Sequence, residues 1–292
     1  MPRERRMKPR ILMCPPEHFD VRYVINPWME GQGERLLRDL ALRQWRSLRD
    51  AVALHAEIML IDHAQGWPDM TFTANAGLIR RNKVVLSRFR HPQRQGEEPF
   101  FAAWFSEAGF DVVVPPEDMH FEGAGDALLD RREALLWMGY GHRTDVRAAD
   151  MLESALDLEV EPLRLVDPRF YHLDTCFCPL ARGYLLYYPA AFEFASVRRI
   201  EARVPADRRI AVSEIDALGF ACNAVNLGDS VILNAASESL SRSLAGRGFR
   251  TLRVPLGEFM RAGGAAKCLT LRLDEPGKVA LRRERQPVAE AA

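Results

Sequence analysis

The sequence lacks most of the features that narrow a function at sight, and each absence excludes something. Charge of one sign is missing: forty basic and forty acidic residues leave a formal net charge of zero, so no overall field argues for nucleic acid or a membrane surface as partner. No apolar run approaches the ~20 residues of a membrane span. The basic stretch Met1–Arg10 leads into Ile11-Leu12-Met13-Cys14, but Pro15-Pro16 interrupts it at once, and the run is too short for a signal-peptide core. Cysteine is scarce. The five residues Cys14, Cys176, Cys178, Cys222 and Cys268 form an odd, scattered set without an export signal, which reads as reduced thiols in a cytoplasmic protein. Cys176-x-Cys178 has neither the two-residue gap nor the second pair of a metal or redox motif. No linker, charge block or low-complexity run divides the chain, so a single domain over residues 1–292 is expected, with residues from about 282 to 292 as a frayed tail. What is present is ordinary: 48% apolar and 27% charged residues, enough for a sizeable core without disulfides or metals.

The chain opens with an extended apolar segment, Arg10 to Cys14. A segment Tyr23-Val24-Ile25-Asn26-Pro27-Trp28-Met29 follows, in which the proline biases Asn26 to an extended backbone. Apolar residues at helical spacing (Leu36, Leu37, Leu40, Trp45, Leu48, Val52) predict an amphipathic helix over Glu34–Leu54, and Ala56–Ile61 returns to strand. From there one pattern recurs. An extended segment, a turn rich in Gly or small polar residues and a second extended segment are followed by a helix and another strand. Asp69, Glu122, His172, Asn223 and Cys268 mark successive units at steps of 53, 50, 51 and 45 residues. Helices are expected over Pro99–Ala108, Arg147–Leu156, Ser213–Phe220 and Ala236–Gly248, with strands over Val112–Val114, Glu159–Leu165, Cys222–Val225 and Arg250–Val254. A period of this size indicates a repeat architecture. Mixed sheets with covering helices around an axis are the economical solution for an α/β chain of this kind.

Equivalent turn positions would then converge on the axis and gather carboxylates, a histidine and a thiol. The thiol sits in Gly263-Gly264-Ala265-Ala266-Lys267-Cys268, a run of small residues opening a short alternating strand, Leu269–Leu273. Taken singly, each marker has a plain structural explanation: Cys268 as a small buried hydrophobe, His172 as a satisfied core histidine, Glu122, Asp126 and Asp69 as turn residues, Arg94 and Arg143 as surface arginines. Taken together they form a constellation. Cysteine reacts as thiolate and an adjacent imidazole moves its protons, which suits His172, with Glu122 holding the ring. Asp69 and Asp174 are then carboxylates without cations, costly to bury unless the ligand supplies positive charge. A planar guanidinium meets that need. Gly263-Gly264 and Pro15–Asp20 are candidate mobile segments by composition.

The pieces Pro68-Asp69-Met70-Thr71-Phe72-Thr73-Ala74-Asn75, Phe121-Glu122-Gly123-Ala124-Gly125-Asp126, His142-Arg143-Thr144, His172-Leu173-Asp174-Thr175 and Gly263–Cys268 resemble the guanidino-group-modifying enzymes of the pentein superfamily. They span nearly the whole chain in that family's order. The resemblance implies a five-bladed α/β propeller of ββαβ repeats and no metal or organic cofactor. It implies Cys268 as nucleophile, His172 as acid and base, Glu122 as its partner, Asp69 and Asp174 around the guanidinium, and Arg94 and Arg143 on the substrate's α-carboxylate. The run Arg88–Arg94 offers neighbours for the first of these arginines. Met13–Pro16 with Tyr23–Met29 is similar to the arginine dihydrolases, in which the asparagine matching Asn26 favours a second hydrolysis to ornithine, ammonia and carbon dioxide. Those proteins carry a C-terminal extension that this chain has no room for, so regulation through an added domain is not expected. A dimethylarginine dimethylaminohydrolase or an arginine deiminase releasing citrulline is the alternative within the family, and a non-catalytic arginine-binding propeller is the alternative outside it. The expected partner is a small molecule, arginine or a substituted arginine, with a homo-oligomer left open.

Overall fold

The computed structural model describes residues 8–33 and 36–275. The expected frayed tail, residues 282–292, and the first two residues of the predicted helix, 34 and 35, lie outside the described residues. In chain order the strands are β1 (Arg10–Met13), β2 (Glu57–Leu60), β3 (Gly77–Arg80), β4 (Lys83–Leu86), β5 (Asp111–Val113), β6 (Ala127–Leu129), β7 (Leu135–Tyr140), β8 (Glu159–Arg164), β9 (Phe177–Leu180), β10 (Tyr184–Tyr187), β11 (Arg209–Ala211), β12 (Val225–Leu227), β13 (Ser230–Leu233), β14 (Arg250–Arg253) and β15 (Leu271–Arg272). Among the described residues they form five three-stranded sheets. In four of them an antiparallel hairpin is followed by a parallel third strand: β3-β4-β5, β6-β7-β8, β9-β10-β11 and β12-β13-β14.

The fifth sheet uses both ends of the described chain. Antiparallel β15 is the first strand of this sheet, β1 is its centre, and β2 pairs parallel to β1. The opening segment, its helix (Arg38–Ala53) and β2 are therefore the second half of the unit that Cys268 begins. This closes the five-bladed α/β propeller implied by the resemblance, in agreement with the five units marked along the chain. The central strand of each blade is an apolar run buried on both faces, as in Ile11–Met13, Val84–Leu86, Leu135–Met138, Leu185–Tyr187 and Val231–Leu233, the pattern of strands covered on two sides.

Covering helices occupy Glu98–Glu107, Ala148–Leu156 and Glu238–Ala245, with ends no more than three residues from the predicted ones. Two readings need correction. The helix between β10 and β11 is Phe194–Arg203, missed in the sequence although Val197, Ile200 and Val204 carry helical spacing; the predicted Ser213–Phe220 segment is a short connector, Glu214–Leu218, capped by the Ser213 side chain. The strand expected over Cys222–Val225 starts only at Val225, because Phe220 to Asn223 form a turn in which Phe220 has φ of 58°.

The core lies between sheets and helices. Trp137 on β7 is 1% exposed, its ring 5.3 Å from that of Phe177 on the neighbouring blade, and its indole N–H donates to Asp130. Trp137→Ala is expected to lower unfolding free energy by about 3–5 kcal/mol through lost burial and the cavity left behind. Urea denaturation checks this, and a loss below about 1 kcal/mol would show that the two blades do not depend on this contact.

Candidate active site

The segment before each hairpin is a tight turn aimed at the axis. Pro68–Thr71 and Thr73–Ala76 carry Asp69 and Asn75, Gly123–Asp126 is preceded by Glu122, Leu173–Thr175 is preceded by His172 and carries Asp174, and the turn at Asn223 faces the loop of Cys268. Hydrogen bonds join each of these turns to the next. Asn75 Nδ2 donates to the Glu122 carbonyl at 3.1 Å, Leu173 N–H to Asp126 Oδ1 at 3.0 Å, and Asn223 Nδ2 to the Asp174 carbonyl at 3.1 Å. Lys267 N–H donates to the Asn223 carbonyl at 3.2 Å and Ala74 N–H to the Cys268 carbonyl at 3.0 Å, closing the ring.

Inside this ring is a small cavity lined by Asn26, Asp69, Asn75, Arg94, Arg143, Tyr171, His172 and Cys268, with Ile25, Met29, Phe72, Ala262 and Gly264. Glu122 and Asp174 are not on its wall; they stand behind His172 and Cys268. His172 Nε2 lies 2.6 Å from Glu122 Oε2, and Arg143 donates to the same oxygen at 3.0 Å. Burial alone would raise the Glu122 carboxyl, but the Arg143 charge and the His172 hydrogen bond hold it well below the usual carboxylate range. The anion fixes the Nε2–H tautomer of His172 and leaves Nδ1 with the lone pair. Burial pushes the imidazole down to about 4, against the pull of Glu122, so it rests neutral near pH 7.

Cys268 does not open the strand as expected. It sits in a turn three residues before β15, with Leu269 N–H bonded to the Ala265 carbonyl. Its sulfur is 3.5 and 3.6 Å from the two Asp174 oxygens. Burial, then the Asp174 charge, drive the thiol well above its ordinary range, and burial pushes Asp174 up to about 7. Asp69 is 2% exposed; Tyr23 OH donates to its Oδ2 at 2.9 Å, while Oδ1 is buried with no hydrogen-bond partner among the described residues. A buried carboxylate oxygen without a donor, on a cavity wall, is a place for a ligand N–H.

The two arginines differ. Arg94 forks onto Glu97 at 2.9 and 2.7 Å, donates to Asn75 Oδ1 and the Asp69 carbonyl, and lies over the Phe89 ring. Four of its five N–H bonds are thus spent inside the protein. Arg143 spends two, on Glu122 and the Ile25 carbonyl, with its guanidinium 4.5 Å from the Tyr171 ring centre. Arg143 therefore keeps more N–H groups for a ligand than Arg94, which braces Asp69 and Asn75. Asn26 accepts from Trp28 N–H at 2.9 Å and donates to the Ala262 carbonyl at 3.1 Å, which straps the Tyr23–Met29 segment across the cavity mouth.

Tyr171, Asn75, Asp126 and Thr144 belong to the same construction but carry no role in the sequence reading. Thr144 OH donates to Asp126 Oδ2 at 2.7 Å and accepts from Glu122 N–H at 3.1 Å, so it ties Arg143 to Glu122. Their only sequence signal is position, in or beside the turns that recur. The small residues of the nucleophile loop have a definite reason. Gly263 has φ of +85°, and a Cβ there would sit 2.5 Å from Tyr171 Oη; one on Gly264 would sit 2.5 Å from the Phe72 ring. Gly263–Gly264, read as loose by composition, is in fact pinned, with the Gly263 carbonyl accepting from Tyr171 at 2.8 Å. Gly264→Ala is expected to cost about 1–3 kcal/mol by overpacking and to slow alkylation of Cys268. Unchanged melting and unchanged thiol reactivity would remove the packing argument.

Comparison with known proteins agrees with this geometry. The family described as N,N dimethylarginine dimethylhydrolase, eukaryotic, matches residues 26–274. The bifunctional arginine dihydrolase/ornithine cyclodeaminase of Nostoc is 57% identical over 267 residues, covering 91% of this chain; the chain spans 38% of that protein's length. The N(G),N(G)-dimethylarginine dimethylaminohydrolase of Mycobacterium tuberculosis is 39% identical over 265 residues, covering 90% of this chain and 85% of that one. The crystal structure of the substrate-bound N-terminal domain of ArgZ, an arginine dihydrolase from the ornithine-ammonia cycle in cyanobacteria, superposes with a TM-score of 0.91 at 56% identity, covering 92% of this chain and 99% of that one. On fold, site and these similarities, the chain belongs to the dimethylarginine dimethylaminohydrolase family of the pentein superfamily.

Proposed function

We propose that this chain is a cysteine-dependent hydrolase of the guanidino group of arginine, acting as an arginine dihydrolase that yields ornithine, ammonia and carbon dioxide. The observation that carries the reading is Asp69 Oδ1, buried and without a donor on the wall that also bears Cys268 and His172. A guanidinium supplies both the missing N–H and the missing positive charge. The identity to cyanobacterial arginine dihydrolases over nine-tenths of the chain supports arginine as substrate.

The thiol is held protonated by burial and by Asp174 until a cation arrives. The positive charge of a guanidinium above the sulfur offsets that of Asp174 behind it and stabilises the thiolate, so the substrate helps to ionise the nucleophile. His172 takes the thiol proton as sulfur attacks the guanidinium carbon and delivers that proton to the departing ammonia, and a covalent thiouronium remains on Cys268. His172, neutral again, takes a proton from water, whose oxygen adds to the carbon and releases the thiolate; Glu122 holds the ring throughout. This gives citrulline. In a second cycle sulfur adds to the ureido carbon and ammonia leaves. Hydrolysis of the resulting thiocarbamate gives a carbamate that loses carbon dioxide to leave ornithine. In this reading Arg143 holds the α-carboxylate, and Asn26, on the cavity wall, steadies the ureido oxygen.

Incubation with arginine should accumulate ornithine rather than citrulline, with turnover lost about 10³-fold or more in Cys268→Ser. Citrulline alone as final product rejects the second hydrolysis, and no turnover of arginine rejects the reading. Hydrolysis of dimethylarginine is the second reading, favoured by the family match and the Mycobacterium relative. It predicts dimethylamine release from the methylated substrate at a kcat/KM above that for arginine.

Binding should also depend on pH. Asp174 titrates near 7 in the free site, and a bound cation favours its ionised form, so below pH 7 binding must expel a proton. Arginine affinity of Cys268→Ser, measured by calorimetry, should rise about tenfold per pH unit up to about pH 7 and then level. A flat profile from pH 5 to 8 rules out Asp174 as the cation's partner.

A further inference from the structure

Asn223 marks the fourth repeat, yet nothing in the reaction above uses it. Its side chain is fully buried and makes five contacts with the nucleophile region. Oδ1 accepts three backbone N–H bonds, from Ala265 at 3.1 Å, Lys267 at 3.0 Å and Cys268 at 3.2 Å. Three donors converging on one atom settle which end of the carboxamide is oxygen. The nitrogen is thereby forced to the other side, where Nδ2 lies 3.0 Å from Cys268 Sγ and 3.1 Å from the Asp174 carbonyl.

We propose that Asn223 is a second determinant of the nucleophile: Oδ1 gathers the 265–268 loop into its turn, and Nδ2 donates a hydrogen bond that stabilises the sulfur whenever it carries negative charge. Sulfur is anionic twice per cycle, before it attacks and when the hydrolysed carbon releases it, and at both moments an N–H donor lowers its energy. The same carboxamide does both jobs, so the loop cannot be in its reactive turn without the donor being in place. The surroundings show why a donor is needed. Asp174 on the other side of the sulfur disfavours the thiolate, and apart from backbone N–H groups the hydrogen-bond donor described on Sγ is Asn223. Asn75, the equivalent asparagine of the first repeat-bearing turn, spends its amide between the Glu122 carbonyl and Arg94, so the two asparagines share the interblade bond and differ in what the rest of the amide serves.

The inference rests on Cys268 as nucleophile, and its test is made without substrate so that it stands apart from the identity of that substrate. Asn223→Asp keeps an oxygen for the three loop N–H groups and replaces the donor on sulfur by a second oxygen. Alkylation of Cys268 by iodoacetamide, resolved by mass spectrometry across pH 6 to 10, should show its apparent pKa raised by at least about one unit and its rate at pH 8 reduced about tenfold or more. Asn223→Ser, uncharged and too short to reach from loop to sulfur, should shift the profile in the same direction, which covers the case where the first variant fails to fold. In the wild-type protein the amides of Ala265, Lys267 and Cys268 should be strongly protected from hydrogen exchange. A folded variant whose alkylation profile superposes on the wild type overturns the donor role, and free exchange at those three amides overturns the loop role. Arginine turnover measured in parallel separates the two readings: its absence from the wild type rejects arginine as substrate and leaves the alkylation comparison intact.

Discussion

The ring of hydrogen bonds around the axis is the constraint on which the rest of the site depends. Each bond crosses from one blade's turn to the next, from Ala74 and Asn75 through Asp126 and Leu173 to Asn223, Lys267 and Cys268. Because the blades close through β15 and β1, no turn can shift without straining its neighbours. Residues contributed by all five repeats are thereby held to hydrogen-bond precision in a protein whose individual turns are only three or four residues long. Preorganisation of this kind is what acyl-transfer-like chemistry on a guanidinium requires.

The ring also explains how buried charge is tolerated. Arg94 and Glu97 form a buried pair whose remaining donors brace Asn75 and Asp69, and Arg143, Glu122 and His172 form a second group. In both, the charges are paired within the protein. Asp69 Oδ1 and Asp174 are not matched by a full positive charge, and that imbalance marks the ligand's place. Burying carboxylates short of a counter-ion costs stability unless a bound cation offsets it.

Packing supplies the third element. Phe19 stacks on Phe259 at 4.9 Å between ring centres and both meet Phe72 edge-on, and these rings form the floor against which Gly264 lies without a side chain. The N-terminal strap is tied to the site's own residues: Tyr23 to Asp69, the Ile25 carbonyl to Arg143, Asn26 to Ala262. The strap is therefore part of the cavity wall, which puts Asn26 on the same cavity as Asp69, His172 and Cys268.

The sequence by itself determined the repeat, its period, most of the covering helices and the residue types that meet at the axis. These follow from local patterning, apolar runs for two-sided strands and helical spacing for covering faces, and local patterning is written along the chain. It also identified Cys268, His172, Glu122 and the carboxylates as one constellation, because they recur at equivalent places. Only the tertiary structure decided that β1 and β15 share a sheet, that Cys268 sits in a turn held by Asn223, that Arg94 faces inward while Arg143 keeps donors to spare, and that Asp69 retains an oxygen without a partner. Those facts concern which group ends where its neighbour's hydrogen bonds are already satisfied. That depends on contacts between residues up to some 260 positions apart, and no local pattern encodes it.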